Sequence, residues 1–109
     1  MRPELRPMDL AFEEAEAAAA RGEVPVGAVV ADGEGRIVAR AGNRTLELKY
    51  PTAHAELLAI REACAALGTE RLIGCDLYVT LEPCPMCAGA ISFARLRRLY
   101  YGAPDEKGG

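Results

Sequence analysis

Two short motifs in this chain can work together only if the fold brings them to one point. The first is Thr52-Ala53-His54-Ala55-Glu56 and the second is Pro83-Cys84-Pro85-Met86-Cys87, each standing where a helix should begin. Two cysteines spaced like Cys84 and Cys87 at a helix start point to one side, so one metal can take both sulfurs. A helix N-terminus also stabilises thiolate, the form that binds metal. Alone, Cys-x-x-Cys equally fits a redox pair or two buried thiols. His54 is the only histidine in the chain, and a lone histidine is more often a hydrogen-bonded structural residue than a ligand. Glu56 lies two positions on, which in mid-helix would turn it about 200° around the axis. His-x-Glu therefore serves one metal only if the metal sits off the end of the helix. The fold must then start two helices side by side at strand ends.

The flanking pattern is compatible with that requirement. Asp9 is placed to cap a first helix whose Phe12, Ala15 and Ala19 recur at helical spacing, with Gly22 to end it. Residues 26–31 form an unbroken apolar run, as in a strand covered on both faces. Asp32-Gly33-Glu34-Gly35 is a turn signal, and residues 36–41 alternate as a more exposed strand does, so the two strands make a hairpin. The polar stretch 42–51 is a loop long enough to suggest function. Thr52 can cap a second helix through Leu57, Leu58, Ile60, Ala63 and Leu67 to Gly68. A strand over 76–81, a helix over 84–94 and a strand over 96–101 follow. The order α-β-β-α-β-α-β has no repeat or linker. It predicts one α/β domain over 8–109, preceded by a disordered arm of residues 1–7. The later helices imply a parallel segment reached by right-handed crossovers, and the hairpin adds an antiparallel strand, giving a mixed sheet with helices on its faces.

Composition narrows the function classes. The 109 residues suit one small domain, and with no tryptophan and 6% aromatics the core must be aliphatic. A net charge of −3 sets up no global field for a polyanion. A nucleic acid would need a local patch, and Arg95, Arg97 and Arg98 fit either phosphate contacts or a solvated edge. No apolar run approaches the roughly 20 residues that span a bilayer, and the N-terminus has no signal-peptide core. A cytoplasmic protein with reduced thiols and no membrane partner is expected, in which cysteines bind metal or are simply buried. Cys64 and Cys75 match no ligand spacing and read as buried structural thiols.

His54, Cys84 and Cys87 would hold zinc with two thiolates and a neutral imidazole, leaving the ion formally neutral and one position open. Three protein ligands plus water is the catalytic pattern, whereas structural zinc is normally closed by four. Bound water falls from a pKa of about 15.7 toward roughly 7. Glu56, outside the ligand set, would take the water proton and return it to a ring nitrogen and a leaving amine.

The combination His-x-Glu with Pro-Cys-x-x-Cys resembles the zinc-dependent nucleobase deaminases. Glu23-Val24-Pro25-Val26-Gly27-Ala28, Pro51-Thr52-Ala53-His54-Ala55-Glu56, Leu77-Tyr78-Val79-Thr80-Leu81-Glu82-Pro83-Cys84 and Tyr101-Gly102-Ala103-Pro104-Asp105 are similar to the bacterial tRNA-specific adenosine deaminases, the TadA family, over about residues 8–109. The resemblance implies a three-layer α/β/α cytidine-deaminase-like fold with a central mixed sheet and one Zn2+ per chain. It also implies hydrolytic deamination of adenosine to inosine at the wobble position of a tRNA anticodon loop, or in other single-stranded nucleic acid, by a homodimer. Asn43 would contact the base, Val26 and Ala53 would line its pocket, and Asp105 would lie near the ribose. Asn43 also fits an ordinary turn residue, and Asp105 a solvated tail. The family continues with a fifth strand and C-terminal helices, so four strands and a reduced RNA-binding surface are expected here. Free-base or nucleotide deaminases acting on guanine or cytosine share the motifs. A non-catalytic, zinc-stabilised partner subunit is the other class, against which the free Glu56 argues.

Overall fold

The computed structural model describes residues 6–103. Strand β1 (Gly27–Ala31) is buried at all five positions, as its unbroken apolar run predicts. It pairs antiparallel with β2 (Ile37–Gly42) through the hairpin and antiparallel with β3 (Asp76–Val79) on its other side. Strand β4 (Arg98–Tyr101) lies parallel to β3, so the sheet order is β2-β1-β3-β4. Strands β2, β3 and β4 thus share one direction, and β1 alone opposes them from inside the sheet.

Helix α1 (Pro7–Ala20) covers one face, while α3 (Ala55–Leu67) and α4 (Pro85–Phe93) cover the other. This is the expected three-layer α/β/α arrangement. Alternation along β1 separates the two layers. Ala28 and Val30 pack with Ala55, Ala59, Ile60 and Ala63 in the main core. Gly27 instead faces α1, where an added Cβ would press on the Ala11 carbonyl and lie 2.6 Å from the Ala15 amide nitrogen. Its register partner Gly42 is also tight, though less so, with a Cβ 2.7 Å from the Glu14 carbonyl. The glycine pair lets the helix backbone rest on the sheet.

That close approach corrects the expected inner face of α1. Ala11, Ala15 and Ala18 are buried, whereas Phe12 is 47% exposed and Ala19 lies outside. Only methyl side chains fit between a helix and a sheet that nearly touch. The helix also starts earlier than expected. Pro7, read as part of the arm, is its first residue, Arg6 is the N-cap, and Asp9 accepts the Arg6 backbone N–H at 2.9 Å from within the first turn. Proline suits that first position because its missing N–H is not needed there. The rest of the arm, residues 1–5, lies outside the described residues. Gly22 (φ +84°) and Gly68 (φ +67°) end α1 and α3 in left-handed conformation as anticipated.

Two further expectations shift. The polar loop holds a one-turn helix, α2 (Thr45–Leu48). Thr52 is exposed and His54, not Thr52, is the N-cap of α3. Strand β4 is pinned by Arg97, which donates to both carboxylate oxygens of buried Asp76 at 3.0 and 2.8 Å. Arg97 is therefore a structural partner in this fold. Tyr78 and Tyr100 stack across the same strand pair, centroids 4.8 Å apart.

Gly27→Ala should cost about 1–3 kcal/mol, because backbone atoms of α1 must move. Gly89→Ala, in α4 with nothing within 4 Å of the new Cβ, should add about 0.5–1 kcal/mol. Thermal unfolding checks both, at roughly 4–8 °C per kcal/mol. A second expectation concerns pH. Hydrogen bonds from Arg97 outweigh burial and hold the Asp76 carboxyl below its ordinary value of 3.8. The pair therefore contributes fully above that value, and its contribution is lost as pH falls through the depressed folded-state pKa. Wild type should exceed Asp76→Asn in Tm at neutral pH, and the two should converge in acid.

Candidate active site and metal centre

Helices α3 and α4 begin next to one another. His54 is the N-cap of α3, Cys84 is the N-cap of α4, and Cys87 lies in the first turn of α4. Neither cap side chain bonds its own helix, which leaves the imidazole and the sulfur to face each other. His54 Nδ1 lies 3.6 Å from Cys84 Sγ and 3.5 Å from Cys87 Sγ. The three donor atoms lie within 4.8 Å of one another, the one such group among the described residues.

The spacing fits zinc. Bonds of about 2.3 Å to sulfur and 2.0 Å to nitrogen at tetrahedral angles put N and S about 3.5 Å apart. The chemistry of the donors fits as well. Cys87 is fully buried, and burial together with the Glu56 charge pushes its thiol pKa far up. The protein alone does not favour thiolate there, whereas a bound dication deprotonates a coordinating thiol.

Glu56, the second residue of α3, is 4% exposed. Burial raises its pKa, opposed by its own backbone N–H, by His54 and by Cys87. It lines a cavity of about 200 Å³ with His54, Cys84, Asn43, Val24, Val26, Leu81 and Glu82. Two carboxylates, Glu56 and Glu82, therefore share the cavity with the ligand group without belonging to it, and of these Glu56 is the buried one. A wider cavity of about 490 Å³ adjoins it, sharing Val24, Asn43 and His54 and walled by Thr45, Leu46, Lys49, Tyr50 and Pro51.

Asn43 follows β2 and is buried. Its Oδ1 accepts the Ala55 N–H at 2.7 Å. It thus supplies from another segment the cap that His54 does not give α3. With the oxygen engaged, the side-chain NH2 is the group Asn43 has left for a ligand. Val26 lines the smaller cavity. Ala53 is fully buried and not among the lining residues, and its carbonyl accepts the Arg44 N–H at 3.0 Å, closing the base of the 43–53 loop. Asp105 lies outside the described residues. Cys64 and Cys75 are free thiols outside the donor group. Sequence reasoning passed over Val24, Leu81 and Glu82. The last two directly precede Pro83-Cys84, and a strand end beside a helix-start ligand was the available signal.

Residues 1–103 match the family model described as the cytidine and deoxycytidylate deaminase zinc-binding region. The chain belongs to this family. It is 67% identical over 102 residues to a tRNA-specific adenosine deaminase of Agrobacterium fabrum (strain C58), covering 94% of this chain and 66% of that relative. It thus spans about two thirds of the relative's length. A structure from studies of A-to-I editing by tRNA:A34 deaminases at the wobble position superposes with a TM-score of 0.91 at 66% identity, covering 94% of this chain and 78% of that one. Guanine deaminase from Bacillus subtilis gives 0.86 at 41% identity, covering 90% and 62%.

Cys84→Ala should cut bound zinc from about one ion per chain to near none, and chelation should lower the Tm of the wild type. Cys64→Ala should retain its metal. Metal analysis after gel filtration reads the difference.

Proposed function

We propose that this chain carries the zinc-dependent hydrolytic deaminase site that converts adenosine to inosine at the wobble position of a tRNA anticodon, or in other single-stranded nucleic acid, with one zinc ion per chain. The observation that carries the reading is Glu56, a buried carboxylate facing the same cavity as His54 and Cys84 yet outside the donor group. His54, Cys84 and Cys87 would hold the zinc, which when bound would supply Lewis-acid activation of the attacking water. Proton movement belongs to Glu56. A carboxylate oxygen accepts a proton from the attacking water and delivers protons to the purine ring nitrogen and the departing amine, so water enters and ammonia leaves. Burial, by raising the Glu56 pKa, brings it closer to the range in which one group both accepts and donates.

The Asn43 NH2 donates to an acceptor on the base edge, Val26 forms an apolar wall, and Ala53 backs the start of α3. Asp105 is assigned to the ribose on the family resemblance alone. A cavity of about 200 Å³ suits one unstacked base, which favours a loop over a duplex. The tRNA specificity of the Agrobacterium relative supports the choice of tRNA. We also assign the chain to the cytoplasm as a homodimer, in which exposed apolar groups such as Phe93, 84% accessible, would be covered.

The guanine deaminase likeness makes free guanine the competing substrate. Zinc-loaded protein should produce inosine from an anticodon stem-loop and release no ammonia from guanine. Ammonia from guanine alone would overturn the reading. Glu56→Ala should lower kcat by about 10²–10⁴-fold or more with zinc content and Tm preserved. Loss of zinc in that variant would make Glu56 a ligand and sink the mechanism.

A further inference from the structure

The loop 43–53 walls the wider cavity beside that of the reacting base, and within it Arg44 pairs with both oxygens of Glu47 at 2.9 and 2.8 Å. Helix α2 is a single turn, Arg44 gives it no side-chain cap, and Lys49 ends it at φ +61°, a strained conformation for a residue with a Cβ. Further restraint comes from the segment after α1. Glu23 is 6% exposed, and its Oε1 accepts the Leu46 N–H at 3.1 Å and the Thr45 hydroxyl at 3.4 Å while Oε2 accepts the Glu47 N–H at 2.8 Å. Burial pushes this carboxyl up, but these donors and Arg21 bring it below its ordinary value, so it remains an anion. Arg21 adds an ion pair to Glu47 at 3.7 Å.

The ends of the loop are tied without Glu23. Asn43 donates its N–H to Val26 O at 3.1 Å, its Oδ1 caps α3, and Arg44 bonds Ala53 O. Removing Glu23 therefore leaves the ties at Asn43 and Ala55 in place and takes three hydrogen bonds from residues 45–47, of which Thr45 and Leu46 wall the wider cavity. For a nucleotide whose base fills the smaller cavity, the wider one, which shares Val24, Asn43 and His54 with it, is an adjoining path for the strand.

We propose that Glu23 is a positioning residue that holds the 45–50 wall for the strand flanking the reacting base, and so favours polynucleotide over free base. The inference rests on the deaminase reading above. In the zinc-loaded full chain, Glu23→Gln keeps the size but cannot accept from all three donors. Its KM for an anticodon stem-loop should rise about tenfold, as for loss of a charge-assisted hydrogen bond, with kcat within about twofold. Amide exchange at Leu46 and Glu47 should speed up by a similar factor, while Ala55 and Leu58 stay protected, and Glu23→Asp should recover part of both. Unchanged exchange, or faster exchange with an unchanged KM, would overturn the Glu23 proposal. So would a fall in kcat with loss of zinc. A wild-type chain inert on the stem-loop but active on guanine would instead overturn the substrate reading, a result the exchange data do not depend on.

Discussion

Strands β2 and β3 run the same way, and each hands the chain to a helix on the same face of the sheet. Their helices therefore begin at the same end, beside each other, and the site depends on that placement. Because β1 alone runs in reverse, its first residues arrive at this end too. Val26 before β1, Asn43 after β2, and Leu81 and Glu82 after β3 reach one cavity from three directions. Ligand sites of open α/β sheets gather at carboxyl strand ends for this reason.

Two helix N-termini aimed at one point create a local preference for negative charge. The chain fills it with two sulfurs and a carboxylate, more negative charge than the helix ends can stabilise once Cys87 is fully buried. A bound dication would balance that charge, and Glu56 lies outside the donor group. Asn43 makes this possible. By capping α3 from outside the helix, it frees the N-cap position for an imidazole.

The sheet and the paired helix starts do not choose the substrate. A guanine deaminase superposes on this chain at a TM-score of 0.86 with 41% identity, so the difference must reside in the cavity walls. In this chain those walls come from Val24 and Val26, from Asn43 and the loop after it, and from Leu81 and Glu82. The donor group sits on helix starts fixed by the core, and part of the wider cavity's wall on a one-turn helix held by a buried carboxylate.

The sequence by itself determined the His54-Cys84-Cys87 group with Glu56 beside it, the α/β class and the element order apart from α2. Helix-start signals and ligand spacing are local properties, and the off-end geometry of His-x-Glu follows from helical pitch alone. What it could not settle was whatever depends on two distant segments meeting. The inner face of α1 reads from periodicity as Phe12, Ala15 and Ala19. It is Ala11, Ala15 and Ala18 because the hairpin register puts Gly27 opposite Gly42 and draws the helix onto bare backbone. The cap of α3 reads as Thr52 and is supplied by Asn43 across the sheet end. Glu23 looks like an ordinary polar residue until tertiary structure sets the amides of 46 and 47 against it. A backbone N–H near a helix start must find a partner, but only the folded chain decides which residue supplies it.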